Sequence, residues 1–275
     1  MTDRGLNQDP VVTARIRHTL AAVAPLGQRH ERTVRSHPVP GSAAQLDLAL
    51  TDHPSAVVLA GGVLSVALDH LTAWKALIDG GTQPTAAHMS LLRGAMETAV
   101  LCRWLVDWRV EPTERVQRAV AAQLDDYGQR SRFEALMGLD TAPRTGHARS
   151  AVERIEELKA AAAAAGIPVV PMPTMTNLFA RFGSPGHEDH RRWYQLVSAY
   201  AHGKEWALLL AGFVIEPPEP GNIGAVRGKV SANDDLAAGM TALAVGYVST
   251  ALQEFASYKG QPRPPPHDDH IVACE

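Results

Sequence analysis

Residues 52–81 read DHPSAVVLAGGVLSVALDHLTAWKALIDGG. The run opens on Asp, Pro and Ser, residues that favour helix starts. It continues through Val, Leu and Ala with few polar interruptions, and stops at Gly80-Gly81. The length and the double glycine predict one long, apolar helix to about Asp79. The apolar stretch Val57–Leu68 is too short and too diluted by Gly61, Gly62 and Ser65 for a membrane span, which needs roughly 20 strongly apolar residues. The same holds for Trp206–Ile215 and Leu236–Leu252, so buried helices are expected in all three places. Gly61-Gly62 follows no strand and reads as a helix-packing feature.

Working outward, the rest of the chain repeats this helical pattern. Asp9-Pro10 caps a first helix ending near Pro25 or Gly27, and the polar stretch Gln28–Gly41, with two prolines, reads as mostly irregular. Pro84 opens a helix through Trp108, and Thr113 to about Met137 forms the next. His147–Ala165, Thr176–Phe182 and His187–His202 follow, with Gly203 a break and Lys204–Ile215 a continuation. Asn222–Val230 has room for one short strand pair at most, and Asp234–Tyr258 is a final long helix. No strand–helix alternation and no repeat occur, so the expected fold is all-α, a single helical bundle with long antiparallel helices. The organisation expected is an N-terminal helix and irregular arm over 1–53, the bundle over 54–258, and a disordered Pro-rich tail over 259–275.

Composition agrees with that architecture. The 275 residues include 43 Ala, the strongest helix former, and only five each of Phe, Trp and Tyr. A net charge of -3 gives no general nucleic-acid footprint. Two cysteines, Cys102 and Cys274, cannot build a disulfide framework or a Cys-rich zinc site. The opening ten residues carry no secretory signal, and a cytoplasmic location without membrane attachment is expected.

Polar residues set among apolar ones mark the candidate site. On the helix His88–Trp108, Arg93 and Glu97 lie one turn apart, with Leu, Val, Met and Trp around most of the circumference. They form a solvated pair, a buried structural pair, or part of a functional site. Asp69 and His70 are polar side chains on the preceding apolar helix. Arg191, Gln195, Ser198, His202 and Glu205 follow helical spacing as one stripe. Ser198 and His202, stacked one turn apart, are the minimum for nucleophilic or general-base chemistry. The plainer alternative has Ser198 bonded to the carbonyl of residue 194 and His202 held by Glu97 or Asp69. The pairs His187/His190 and His267/His270, the latter near Cys274, supply no closed ligand set, so neither metal nor cofactor is expected. Phosphate-loop, dinucleotide, nucleophile-elbow and zinc-protease motifs are absent.

Leu91, Arg93 and Glu97 followed by Arg103-Trp104-Leu105, with Ser198-Ala199 and His202-Gly203 later, resemble the motifs of a group of bacterial helical proteins of HEPN-like type. The resemblance covers about residues 55–257. It implies nucleotide-linked helical bundles, many of them dimeric, metal-independent ribonucleases with an Arg shortly before a His on one helix. Here that His is His202, while Arg191 and Arg192 lie too far upstream, so Arg93 could stand in only through the fold.

The expected function is therefore a small-molecule or nucleotide-binding regulatory module with a buried polar site. Its catalytic candidates are Arg93, Glu97, Ser198 and His202, and its binding candidates Asp69, His70, Arg191 and Gln195. The alternatives are a ribonuclease-like enzyme using His202, or a hydrolase or transferase using Ser198. The partners expected are a small molecule or nucleotide and a second copy of the chain.

Overall fold

The computed structural model describes residues 9–51, 56–82, 84, 86–139, 149–182, 190–210, 213–216, 227–230 and 233–262. Among the described residues the fold is all-α apart from one strand pair. Its helices are α1 (Pro10–Leu20), α2 (Val23–Arg35), α3 (Ala43–Leu50), α4 (Ala56–Asp79), α5 (Ala87–Leu105) and α6 (Pro112–Leu136). They continue with α7 (Ala151–Ala164), α8 (Met175–Phe182), α9 (Arg191–Ala201), α10 (Glu205–Leu210) and α11 (Asp234–Tyr258). Strands β1 (Phe213–Glu216) and β2 (Arg227–Val230) pair antiparallel, with Phe213 opposite Val230.

Local chemistry explains several helix starts. Asp9 caps α1 by accepting from the Val11 amide at 2.8 Å, with Pro10 in the first turn. Ser150 and Glu153 form a reciprocal capping box on α7. Asn233 accepts from the Leu236 amide at 3.0 Å to start α11.

Helix α5 is the centre of the bundle: eleven of its 19 residues are buried, and α4, α6, α8, α9 and α11 all pack on it. Leu64, Leu71 and Trp74 of α4, Leu92, Met96 and Val100 of α5, and Val248, Leu252 and Phe255 of α11 are core residues. Helices α4 and α11 are each long and apolar enough to cross a membrane. In the bundle they line the core, and Gly61 of α4 lies where an added methyl would meet Val34 and Phe255. A smaller cluster, Val116, Val120, Leu158, Ala162 and Ile167, joins α6 to α7.

Three expectations need correction. The first helix ends at Leu20, and Gln28–Gly41 is not mostly irregular, because a separate α2 runs from Val23 to Arg35 and buries Leu26, His30 and Thr33. Pro25 stands in its first turn, where backbone amides have no intrahelical acceptor, so proline costs nothing there. The segment after Gly203 does not continue as helix to Ile215: α10 ends at Leu210, and Phe213–Glu216 is strand. The tail is ordered at its start. Lys259 is buried, and its ammonium donates to the carbonyls of Thr33, Val34 and Ser36, closing the C-terminal end of α2. Gln261 adds a bond to Ser36. The remainder of the expected tail, with His267, His270 and Cys274, lies outside the described residues.

Charges are also buried where no spacing had marked them. Asp47 of α3 receives Arg115 of α6 at 2.8–3.1 Å and the Tyr258 hydroxyl at 2.7 Å, and Arg115 also donates to the Val110 carbonyl. Arg103 of α5 reaches Glu254 of α11 at 3.0 and 3.1 Å and donates to the Phe182 carbonyl.

Candidate functional site

The side of α5 not covered by core is narrow. Ser90 is exposed, and Leu91, Arg93, Gly94, Glu97, Thr98 and Leu101 are half-buried. At 100° per residue these seven fall within an arc of about 160°. Helices α4 and α9 both pack on α5, with His70 of α4 over Gly94 and His202 of α9 against Arg93. This half-buried strip of α5, met by His70 from α4 and by His202 from α9, is termed the groove, with α4 and α9 as its walls.

The α4 wall is mostly apolar. Leu59, Val63, Ala73 and Leu77 are half-buried on the same face as His70. The His70 ring lies directly over Gly94, where an added Cβ would come within 2.4 Å of its Nε2. Only glycine at position 94 leaves room for that ring. Among the described residues, His70 makes no hydrogen bond.

The α9 wall is polar, and here the expected residues converge. Arg93 Nε donates to Glu97 Oε1 at 2.8 Å, and Arg93 Nη1 lies 3.0 Å from His202 Nε2. A guanidinium can only donate, so Nε2 is the acceptor and the proton of the neutral ring sits on Nδ1. The Arg93 guanidinium also stands over the Tyr194 ring, 5.9 Å from its centroid. Burial works against the Arg93 charge, but the hydrogen bond and the charge of Glu97 raise its pKa above the ordinary value. Burial, and then the negative charge of Glu97, push the Tyr194 phenol up as well. Arg93 and Glu97 are thus linked to α9 through both Tyr194 and His202.

The end of α9 sets the direction of His202. The Gly203 amide bonds to the Tyr200 carbonyl at 3.0 Å and the Lys204 amide to the Ala199 carbonyl at 2.9 Å, with Gly203 at φ +62°. This Schellman closure requires the left-handed conformation that glycine adopts without strain. The helix stops at His202, and Glu205 falls on a new helix, off the expected stripe.

The other candidates divide. Ser198 lies between Tyr194 and His202 on the same helical face, half-buried, and its hydroxyl makes no hydrogen bond among the described residues. Neither the Ser198–His202 bond nor the bond to the carbonyl of residue 194 is formed. Gln195 and Arg191 are exposed on α9, and Asp69 is exposed on α4. His202 is held by Arg93, not by a carboxylate. The cluster is half-open rather than interior: the Arg93 and Glu97 side chains keep 22% and 24% of their surface. Tyr194 was not anticipated, although its place four residues before Ser198 and eight before His202 puts it on the same stripe.

No group of three metal-ligating side chains exists among the described residues. Of the two histidine pairs, His187 lies outside them, and His190 is buried with its Nδ1 bonded to the Tyr247 hydroxyl. Set against protein-family models, curated proteins and solved structures, the chain matches none.

Proposed function

We propose that the chain is a binding and regulatory module whose groove over α5 receives a small molecule of the nucleotide class. The observation that carries this reading is the Arg93–His202 bond between α5 and α9. It gathers a guanidinium, an imidazole, a phenol and the Ser198 hydroxyl at one half-open place, opposite an apolar wall. Polar groups at one side and aliphatic groups at the other suit a ligand with a polar end and a flat, weakly polar body. The resemblance to HEPN-like bundles points to the same ligand class. A cytoplasmic location and a second copy of the chain as partner belong to the same proposal.

The test is a thermal-shift and calorimetric titration with AMP, ATP and adenosine. A ligand at about 100 times its Kd adds roughly 2.7 kcal/mol to folding stability. Binding should weaken at least tenfold in Arg93→Met. Absence of binding by all three compounds would sink the reading.

A second reading, metal-independent RNA cleavage, is favoured by one specific observation. Arg93 brings from another helix the guanidinium that α9 itself does not place beside His202. In that reading His202 is the acid–base group, working through Nδ1. Equal inertness of the wild-type protein and His202→Ala towards single-stranded RNA would exclude it.

A further inference from the structure

We infer that the Arg93–His202 hydrogen bond is a proton-operated latch between α5 and α9. The inference takes the couple as the site proposed above and assigns its regulation. Arg93 Nη1 has only hydrogen to offer, and His202 Nε2 can receive it only while its lone pair is free. A second proton on the ring turns the acceptor into a donor and sets two cations side by side. The bond then has no acceptor and must open.

The surroundings favour opening over a shared proton. From α5 the charged groups facing the ring are Arg93 and Glu97, and Glu97 Oε1 is already engaged by Arg93 Nε at 2.8 Å. From α9 they are Tyr194 and the more distant Arg191, and in the following turn Lys204 and Glu205. Across the floor α4 offers His70 over Gly94. His202 is exposed, so a protonated ring has water to turn to. It also ends α9 with no side-chain bond besides Arg93 and is followed at once by the Gly203 turn, while Tyr194 and the buried Val197 and Tyr200 hold the preceding turns of α9 in place. When the ring leaves, Nη1 of Arg93 faces the groove with a free donor, while Nε stays fixed by Glu97. Neutral His202 therefore closes the site, and protonated His202 presents the guanidinium to a ligand.

The latch is tested without ligand, by nitrogen-15 NMR of the full chain from pH 8 to pH 5. At pH 8 the His202 ring should be the Nδ1–H tautomer. On acidification, amide exchange at Gly203 and Lys204, corrected for its intrinsic pH dependence, should rise at least tenfold with the midpoint of the His202 ring. In His202→Gln, whose amide oxygen accepts at every pH, that rise should vanish; in Arg93→Met exchange should be fast throughout. An Nε2–H tautomer at pH 8, a ring titration with unchanged exchange, or the same rise in His202→Gln would overturn the latch. AMP titrations at pH 8 and pH 5.5 read the ligand proposal separately. Failure to bind at both values removes that proposal, whereas the exchange data alone decide the latch.

Discussion

Two arginine–carboxylate pairs, Arg115–Asp47 and Arg93–Glu97, share their chemistry and differ in everything around it. Arg115 and Asp47 keep 2% and 0% of their side-chain surface, whereas Arg93 and Glu97 keep 22% and 24%. Arg115 spends its donors on both Asp47 oxygens and on a backbone carbonyl, and the Tyr258 hydroxyl completes the acceptor side. Every partner there is fixed by packing of α3, α6 and α11. Arg93 instead spends one donor on an imidazole whose acceptor capacity depends on its protonation. A saturated, dry pair holds a fold together, while an open pair with an exchangeable neighbour can respond to ligand or proton.

The largest effect should come from breaking the dry pair. Asp47→Ala leaves the Arg115 charge buried without its carboxylate, which costs about 3–5 kcal/mol. Urea denaturation measures it. A loss below 1 kcal/mol would mean that water reaches Arg115, and the contrast between the two pairs would collapse. Next comes Lys259→Met, which strips the end of α2 of the ammonium that reaches three of its carbonyls and should cost about 1.5–3 kcal/mol. The partner measurement is amide exchange across α2, which should accelerate before the rest of the bundle.

The dry pair was not legible in the sequence and the open one only in part, and the reason is physical. Asp47 and Arg115 are 68 residues apart and Tyr258 is 211 from Asp47, so no helical spacing links them. Arg93 and Glu97 were visible because one turn of helix makes neighbours of residues four apart. Their junction with His202, 109 residues on, exists only through the packing of α9 on α5. The limits Asp234 and Tyr258 of α11 could be read directly, since Asn233 caps one end and Gly260 follows the other. Helix α2 could not: two of its four buried residues, His30 and Thr33, are polar, and its sequence carries Pro25 and Gly27.

A third prediction concerns pH, and it separates the global response of the bundle from the local latch. His88 is buried, stacked 5.1 Å from Trp74, with Nδ1 on the Pro84 carbonyl at 2.7 Å and Nε2 without a partner. Burial holds its pKa below the ordinary value, about 6.5. As pH falls through 6.5 the unfolded chain takes up the proton first, so stability declines until the folded pKa is reached and then levels. His88→Phe keeps a ring against Trp74 and should remove that part of the slope in denaturation curves. His202→Gln should leave the slope in place. If the two variants behaved alike, the latch and the core would not be separable devices.

Smaller still is the stability effect expected inside the groove. Glu97→Gln removes an i,i+4 pair that is partly open to water, worth about 0.3–0.5 kcal/mol. Ligand affinity should respond more strongly than stability, because Arg93 loses the bond that orients it.

The smallest expected change in stability tests the groove floor itself. Gly94→Ala adds helix propensity of roughly 0.8–1 kcal/mol in the middle of α5. The new methyl would overlap the tip of His70, which is the free end of a side chain and can rotate away, giving up part of its packing. The two contributions oppose each other, so the net change should lie within about 0.5 kcal/mol of zero. The His70 ring resonances should nevertheless move, and the groove should narrow for any ligand that passes between His70 and Arg93. Insensitivity of both ring shifts and nucleotide affinity to Gly94→Ala would place the ligand elsewhere on the bundle. A loss of several kcal/mol would mean that this floor is as rigid as the Asp47–Arg115 site, and that openness is not what distinguishes the two pairs.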